Sequence, residues 1–130
     1  MTEKPALQST VAVLGASPKP ERYSNQAVKL LKEHGYRVIP VHPTLSAIEG
    51  LPTANRLDLI GEPVDTLSVY VGPKRSKMII EDILALKPKR IILNPGTESP
   101  DLETRLDQAG IRHVKACTLL LLRTGQFDKV

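Results

Sequence analysis

The chain has 130 residues, 41% of them hydrophobic and 25% charged, which gives one domain, residues 1–130, able to bury a core without metal or disulfide support. A single cysteine, Cys117, excludes an internal disulfide and fits a reducing, cytoplasmic setting, and no apolar run is longer than that of Leu119–Leu122, far too short to cross a membrane. The net charge of +4 suits an anionic partner, but there is no arginine-rich tail and aromatics are only 3%, which disfavours nucleic acid.

Residues 1–9 read as a flexible lead without the apolar core of a secretory signal. Val11–Leu14 is a continuous apolar run, as expected of a strand covered on both faces. It enters the turn Gly15-Ala16-Ser17, where glycine lets backbone approach a phosphate. Ser24 is placed to cap a helix with Ala27, Leu30, Leu31 and His34 on one face, and Gly35 to end it. Tyr36–Val41 is a second strand. Residues 43–63 carry three prolines and two glycines without a clean period, so a loop with one short helix near Asn55–Ile60 is predicted.

Thr66–Val71 alternates and is β-branched, a third strand closed by Gly72-Pro73. Ile79, Ile80, Ile83, Leu84 and Leu86 make a helical stripe that stops before Pro88. Arg90–Leu93 is a fourth strand, followed by Asn94-Pro95-Gly96. Ser99-Pro100 opens a helix with a cap and an N1 proline, Leu102, Leu106 and Ala109 face the core, and Gly110 ends it. Ile111–Lys115 is a fifth strand and Cys117–Thr124 a last short helix. This alternation predicts an α/β fold, a Rossmann-like doubly wound parallel sheet of about five strands in the order 3-2-1-4-5 with helices on both faces. The turns at Gly15, Gly72 and Asn94-Pro95-Gly96 all follow strand C-termini, where open α/β sheets bind ligands.

Lys19 and Arg22 lie in the first turn, and the helix beginning at Ser24-Asn25 would face a pyrophosphate. A dinucleotide dehydrogenase usually carries an acid after the second strand, where this chain has His42-Pro43. The pattern therefore points to a nucleotide-containing ligand other than NAD. Lys74, Arg75 and Lys77 at the next helix start oppose the helix dipole, although a solvated face accounts for them as well. Glu98 and Asp101 suit the first turn of their own helix, and Cys117 suits a buried small hydrophobe. His34, His42 and His113 are separated by whole elements, so no metal site is spaced for, and neither a Walker loop nor a nucleophile elbow is present. Nothing requires catalysis.

Gly15-Ala-Ser17, Arg22-Tyr-Ser24, Gly35-Tyr-Arg-Val-Ile-Pro-Val-His-Pro43, Asn94-Pro-Gly-Thr-Glu98 and Ala116-Cys-Thr118 together resemble the small stand-alone CoA-binding proteins. These are similar to the N-terminal domain of the succinyl-CoA synthetase alpha subunit. The resemblance implies a domain that holds coenzyme A, or an acyl-CoA, along the strand C-termini. By position, Gly15, Ala16 and Ser17 would meet the pyrophosphate with the Ser24 helix end. Val41, His42 and Pro43 would flank the adenosine, and Val71, Gly72, Pro73, Asn94, Pro95 and Gly96 would line the pantetheine path. The ligase's phosphohistidine lies in a second domain for which this chain has no counterpart. Binding carries over and ligase activity does not. An NAD(P)-using enzyme or sensor, and an interaction subunit working beside a CoA ligase, are the two other readings. The oligomeric state is open.

Overall fold

The computed structural model describes residues 9–130. The expected lead falls outside these residues except for Ser9, whose carbonyl accepts the Arg37 N–H at 3.1 Å. Five parallel strands make the sheet: β1 (Thr10–Leu14), β2 (Arg37–Val41), β5 (Thr66–Val69), β6 (Arg90–Leu93) and β7 (Arg112–Lys115). A two-stranded hairpin, β3 (Ala47–Ile48) and β4 (Leu51–Pro52), and a 3-10 turn at Leu57–Leu59 fill the long connection after β2. The helices are α1 (Tyr23–Glu33), α2 (Pro73–Met78), α3 (Ile80–Leu86), α4 (Pro100–Ala109) and α5 (Thr118–Arg123).

The fold class is the one the alternation of elements implies, but the strand order differs. It is β2-β1-β5-β6-β7, so the third main strand lies beyond β1 and not outside β2. Pro40 supplies the physical reason. In the order 3-2-1-4-5 the second strand is paired on both sides, and proline has no N–H to give a second neighbour. Here β2 is the edge strand, and the outward carbonyl of Pro40 accepts only the Ala54 N–H at 2.9 Å. The chain then returns past β1, and the point where the order reverses falls between β1 and β5. This is the flavodoxin-like variant of the doubly wound fold, which obeys the same ligand rule.

One face of the sheet packs on α1 and α5, where Val11, Val13, Val28, Leu31, Ile92 and Leu122 form one buried cluster. The other packs on α3 and α4 through Ala12, Leu67, Ile83, Ile91, Leu102 and Leu106. Leu102 and Leu106 are fully buried and each contributes roughly 1.5–3 kcal/mol, so the α4 wall is firm in the free protein. The helix expected after the third strand is broken at Ile79 (φ −124°, ψ 22°) into α2 and α3. The Ile79 N–H bonds Ser76 O, and the Ile83 N–H restarts the ladder on Ile79 O. In parallel register, Val41, Leu14, Val69, Leu93 and Lys115 form one row at the C-terminal edge. The candidate site lies on that row.

Candidate functional site

A cleft of about 540 Å³ opens at the C-terminal edge across the point where the strand order reverses. Its lining brings together eleven of the residues singled out in the sequence: Gly15, Ala16, Ser17, Lys19, Arg22, Ser24, His42, Pro43, Gly72, Pro95 and Gly96. Four others stand behind or beside it. Val41 and Val71 are buried, with Val41 and Pro43 lining a small side pocket of about 160 Å³. Pro73 starts α2 outside the lining. Asn94 is buried and fully engaged: its Nδ2 donates to Ser68 Oγ at 3.0 Å and Val69 O at 2.8 Å, and its Oδ1 accepts the Thr118 N–H at 2.8 Å. Asn94 therefore pins β5, β6 and α5 together and has nothing left for a ligand.

Gly15 adopts φ +89°, and a Cβ there would lie 2.9 Å from Val71 Cγ1 and 3.2 Å from the Tyr70 carbonyl carbon. The glycine is demanded by the passing backbone of residues 70 and 71 before any ligand is considered. The Ala16 N–H is also already used, donating to Val41 O at 3.2 Å. What the turn offers an anion comes later. Ser24 was expected to cap α1, but the helix starts earlier because the Arg22 N–H bonds Lys19 O across the proline-stiffened turn. Arg22 is the N-cap (φ −78°, ψ 140°), no side chain caps the helix, and its first turn holds no acid. The first intrahelical bond is from the Gln26 N–H to Arg22 O, which leaves the N–H groups of Tyr23, Ser24 and Asn25 without intrahelical partners. Tyr23 and Ser24 line the cleft. An uncapped helix start facing a cleft presents positive partial charge to whatever enters.

The side chains reinforce that sign. Lys19, Arg22 and Arg75 line the cleft and no aspartate or glutamate does. None of the three takes part in an ion pair among the described residues, whereas Lys77 lies 3.4 Å from Asp101 and Arg105 2.6 Å from Glu81. His42 accepts the N–H groups of Thr44 and Leu45 on Nδ1, both at 3.1 Å. That fixes the tautomer with the proton on Nε2, which can only donate.

Four lining residues were not singled out as site residues from the sequence, Pro18, Tyr23, Tyr70 and Thr97, and a fifth, Arg75, was noted at its helix start but left to a solvated face. Arg75 was legible from its place three residues after Gly72, on the same helical face, while Lys77 turns away to Asp101. Tyr70 carried no such signal. Burial pushes its phenol up to about 12, and its hydroxyl sits near Thr118 and Ser68 without bonding either. Those two bond each other at 2.8 Å. Cys117 is half-buried, at the N-cap of α5, and so is not the fully buried hydrophobe expected. No group of three or more His, Cys, Asp or Glu side chains suited to a metal occurs among the described residues. No described helix is long and apolar enough to cross a membrane.

The family model described as a CoA binding domain matches residues 9–123. The chain belongs to the CoA-binding domain family. A Thermus thermophilus protein, cell-free ID.343, is 34% identical and superposes with a TM-score of 0.84 over 94% of each chain. The Bacillus subtilis (strain 168) protein YneT is 31% identical over 74 residues, 57% of this chain and 55% of that protein, so the chain spans about half the length of this curated relative. The dinucleotide-forming acetyl-coenzyme A synthetase 1 of Ca. Korarchaeum cryptofilum, solved with phosphate and ADP, shares the fold. It has a TM-score of 0.72 at 24% identity, over 83% of this chain and 25% of that one.

Proposed function

We propose that this domain binds coenzyme A or an acyl-CoA in the cleft and turns nothing over by itself. The observation that carries the reading is the charge of the cleft: three unpaired cations, an uncapped helix start and no carboxylate. Coenzyme A brings a diphosphate and a 3′-phosphate, so it meets such a surface with more charge than NAD does. The diphosphate rests against Ser17, Lys19, Arg22 and the free N–H groups at the start of α1. His42 and Pro43, with the side pocket floored by Val41 and Leu57, flank the adenosine. Gly72, Pro95 and Gly96 border the pantetheine arm, and Asn94 holds that wall from behind.

The same groups argue against catalysis by this chain alone. A general base needs a free lone pair near its optimum, and the Nδ1 lone pair of His42 is occupied by two backbone N–H groups. The cleft lining contains neither a carboxylate nor a cysteine. Calorimetric titration with CoA, dephospho-CoA and NAD tests the proposal. CoA is expected to bind tightest, dephospho-CoA more weakly, and both to weaken as salt rises. Tighter binding of NAD than of CoA overturns it.

A further inference from the structure

We infer that Glu49, on the β3–β4 hairpin and outside the cleft, is a positioning residue for the phosphate turn and acts through Asn25. The inference rests on the reading of the cleft as a site for a diphosphate-bearing ligand. Asn25 is fully buried in the first turn of α1. Its Nδ2 spends both hydrogens on the surroundings: one goes to the Ser17 carbonyl at 2.9 Å and one to Glu49 Oε2 at 3.0 Å. Both partners can only accept, so the amide has one orientation. Its Oδ1 is then buried with no donor. The hydrogen bonds that orient the amide are therefore those of its nitrogen alone.

The consequence falls on Ser17, which lines the cleft. A carbonyl oxygen pointing at a phosphate repels it. Tying the Ser17 carbonyl to Asn25 turns that negative end toward the interior and leaves the N–H groups of α1 to meet the anion. Glu49 keeps Asn25 in that pose. It does so at a cost in backbone preference, because Glu49 sits at φ +52° in a two-residue turn followed by Gly50 at φ +76°. Asparagine or glycine is the favoured residue at such a position. Its carbonyl is also tied to α1, accepting from Lys32 Nζ at 3.1 Å. A turn that sacrifices local preference while reaching a helix at two points is acting as a strut.

The two roles a residue here could have, turn former or strut, respond oppositely to one substitution. Glu49→Asn suits the left-handed backbone but is one methylene short of Asn25, and Glu49→Gln keeps both reach and acceptor. The tests are calorimetric affinity for CoA and for ADP, and the ligand-free thermal midpoint. We expect Glu49→Asn to hold or raise the midpoint while weakening both ligands by about tenfold, the loss of one hydrogen bond to a charged group. Glu49→Gln is expected to stay within about twofold of the parent affinity. Where Glu49→Asn fails to fold, Glu49→Gly serves the same comparison. Unchanged affinity in the folded variant, or a fall in affinity matched by a fall in midpoint, overturns the inference alone. Wild-type protein that binds neither CoA nor ADP overturns the underlying reading as well, before any variant is made.

Discussion

Two strand-to-helix turns face each other across the cleft and treat their helix starts in opposite ways. After β6, the turn at residues 94–99 satisfies itself. The Thr97 N–H and hydroxyl both reach Asn94 O, and the Gly96 N–H donates to Glu98 Oε1 at 3.0 Å. Ser99 caps α4 on the Leu102 N–H while Glu103, one position beyond that of a capping box, reaches back to the Ser99 N–H, with Asp101 in the same acidic first turn. After β1, the turn leading to α1 leaves its helix uncapped, puts an arginine at the N-cap, and is followed by a first helical turn without an acid, Glu21 lying before the cap and outside the cleft lining. The turn after β6 is complete in itself, and the turn after β1 leaves N–H groups that the proposed ligand would complete.

The largest effect is expected where the open turn meets the sheet. Gly15→Val places a branched side chain at φ +89° and within 2.9 Å of Val71, and should cost about 3 kcal/mol or more. Thermal melts without ligand measure it. A folded Gly15→Val variant with the parent midpoint would show that residues 70 and 71 yield easily, which the buried position of Val71 argues against. Because the fold itself needs this glycine, its substitution is a poor probe of binding.

Exchanging the character of the two helix starts tests the comparison directly. Arg22→Asp gives α1 the cap it lacks and should stabilise the free protein by ~1 kcal/mol. The same change places a negative charge where the proposed site would hold the diphosphate, so CoA affinity should fall by at least about tenfold. Stability up and binding down is the expected pair in one set of melts and titrations. Ser99→Ala should do the reverse, losing ~1 kcal/mol of stability with CoA affinity unchanged. If Arg22→Asp binds CoA as the parent does, the open helix start is not the anion site.

Arg75 and Lys77 extend the comparison within one short helix. Arg75 faces the cleft unpaired, and Lys77 lies 3.4 Å from Asp101. Arg75→Ala should weaken CoA by a few-fold, about the strength of one partly solvated charge contact, with the deficit shrinking in salt. Lys77→Ala should leave affinity where it was. Equal losses in the two variants would mean that only net charge matters, and the geometry of the lining would carry no weight.

The contrast between the two turns was half legible in the sequence. Ser99-Pro100 spells a capped helix by residue type alone, and the inner strands announce themselves by apolar or alternating β-branched runs. Arg22 at an N-cap does not, because Ser24 two residues later offers the better capping chemistry. The start is set instead by the Gln26 N–H bonding Arg22 O, after a turn closed by the Arg22 N–H on Lys19 O. Strand order was readable at Pro40, whose missing donor forbids a central place, though the rhythm of elements pointed elsewhere. Asn94 and Gly15 show the other limit. Both are residue types that suit a ligand, and both turn out to serve neighbours that are remote in sequence. Tyr70 lay beyond reach, since only tertiary packing decides that its hydroxyl is buried and unbonded.

That hydroxyl gives the smallest expected effect. A phenol whose folded value is near 12, against 10.0 when exposed, keeps its proton in the folded state when the unfolded chain has lost it. The native state then binds more protons, so stability is unaffected below about pH 10 and falls as pH rises from there toward 12. Tyr70→Phe removes both the titration and a buried hydroxyl with no partner, whose burial costs ~1 kcal/mol or more. The variant should therefore match or exceed the parent midpoint at pH 7, and its melting curve should be flatter through the alkaline window. Adding CoA sharpens the reading. If a polar group of the ligand takes up the Tyr70 hydroxyl, the parent gains more stabilisation from CoA than Tyr70→Phe does, by a small margin at the level of one hydrogen bond. Equal gains would place Tyr70 in the wall of the cleft, shaping it through its ring without touching the ligand by its oxygen.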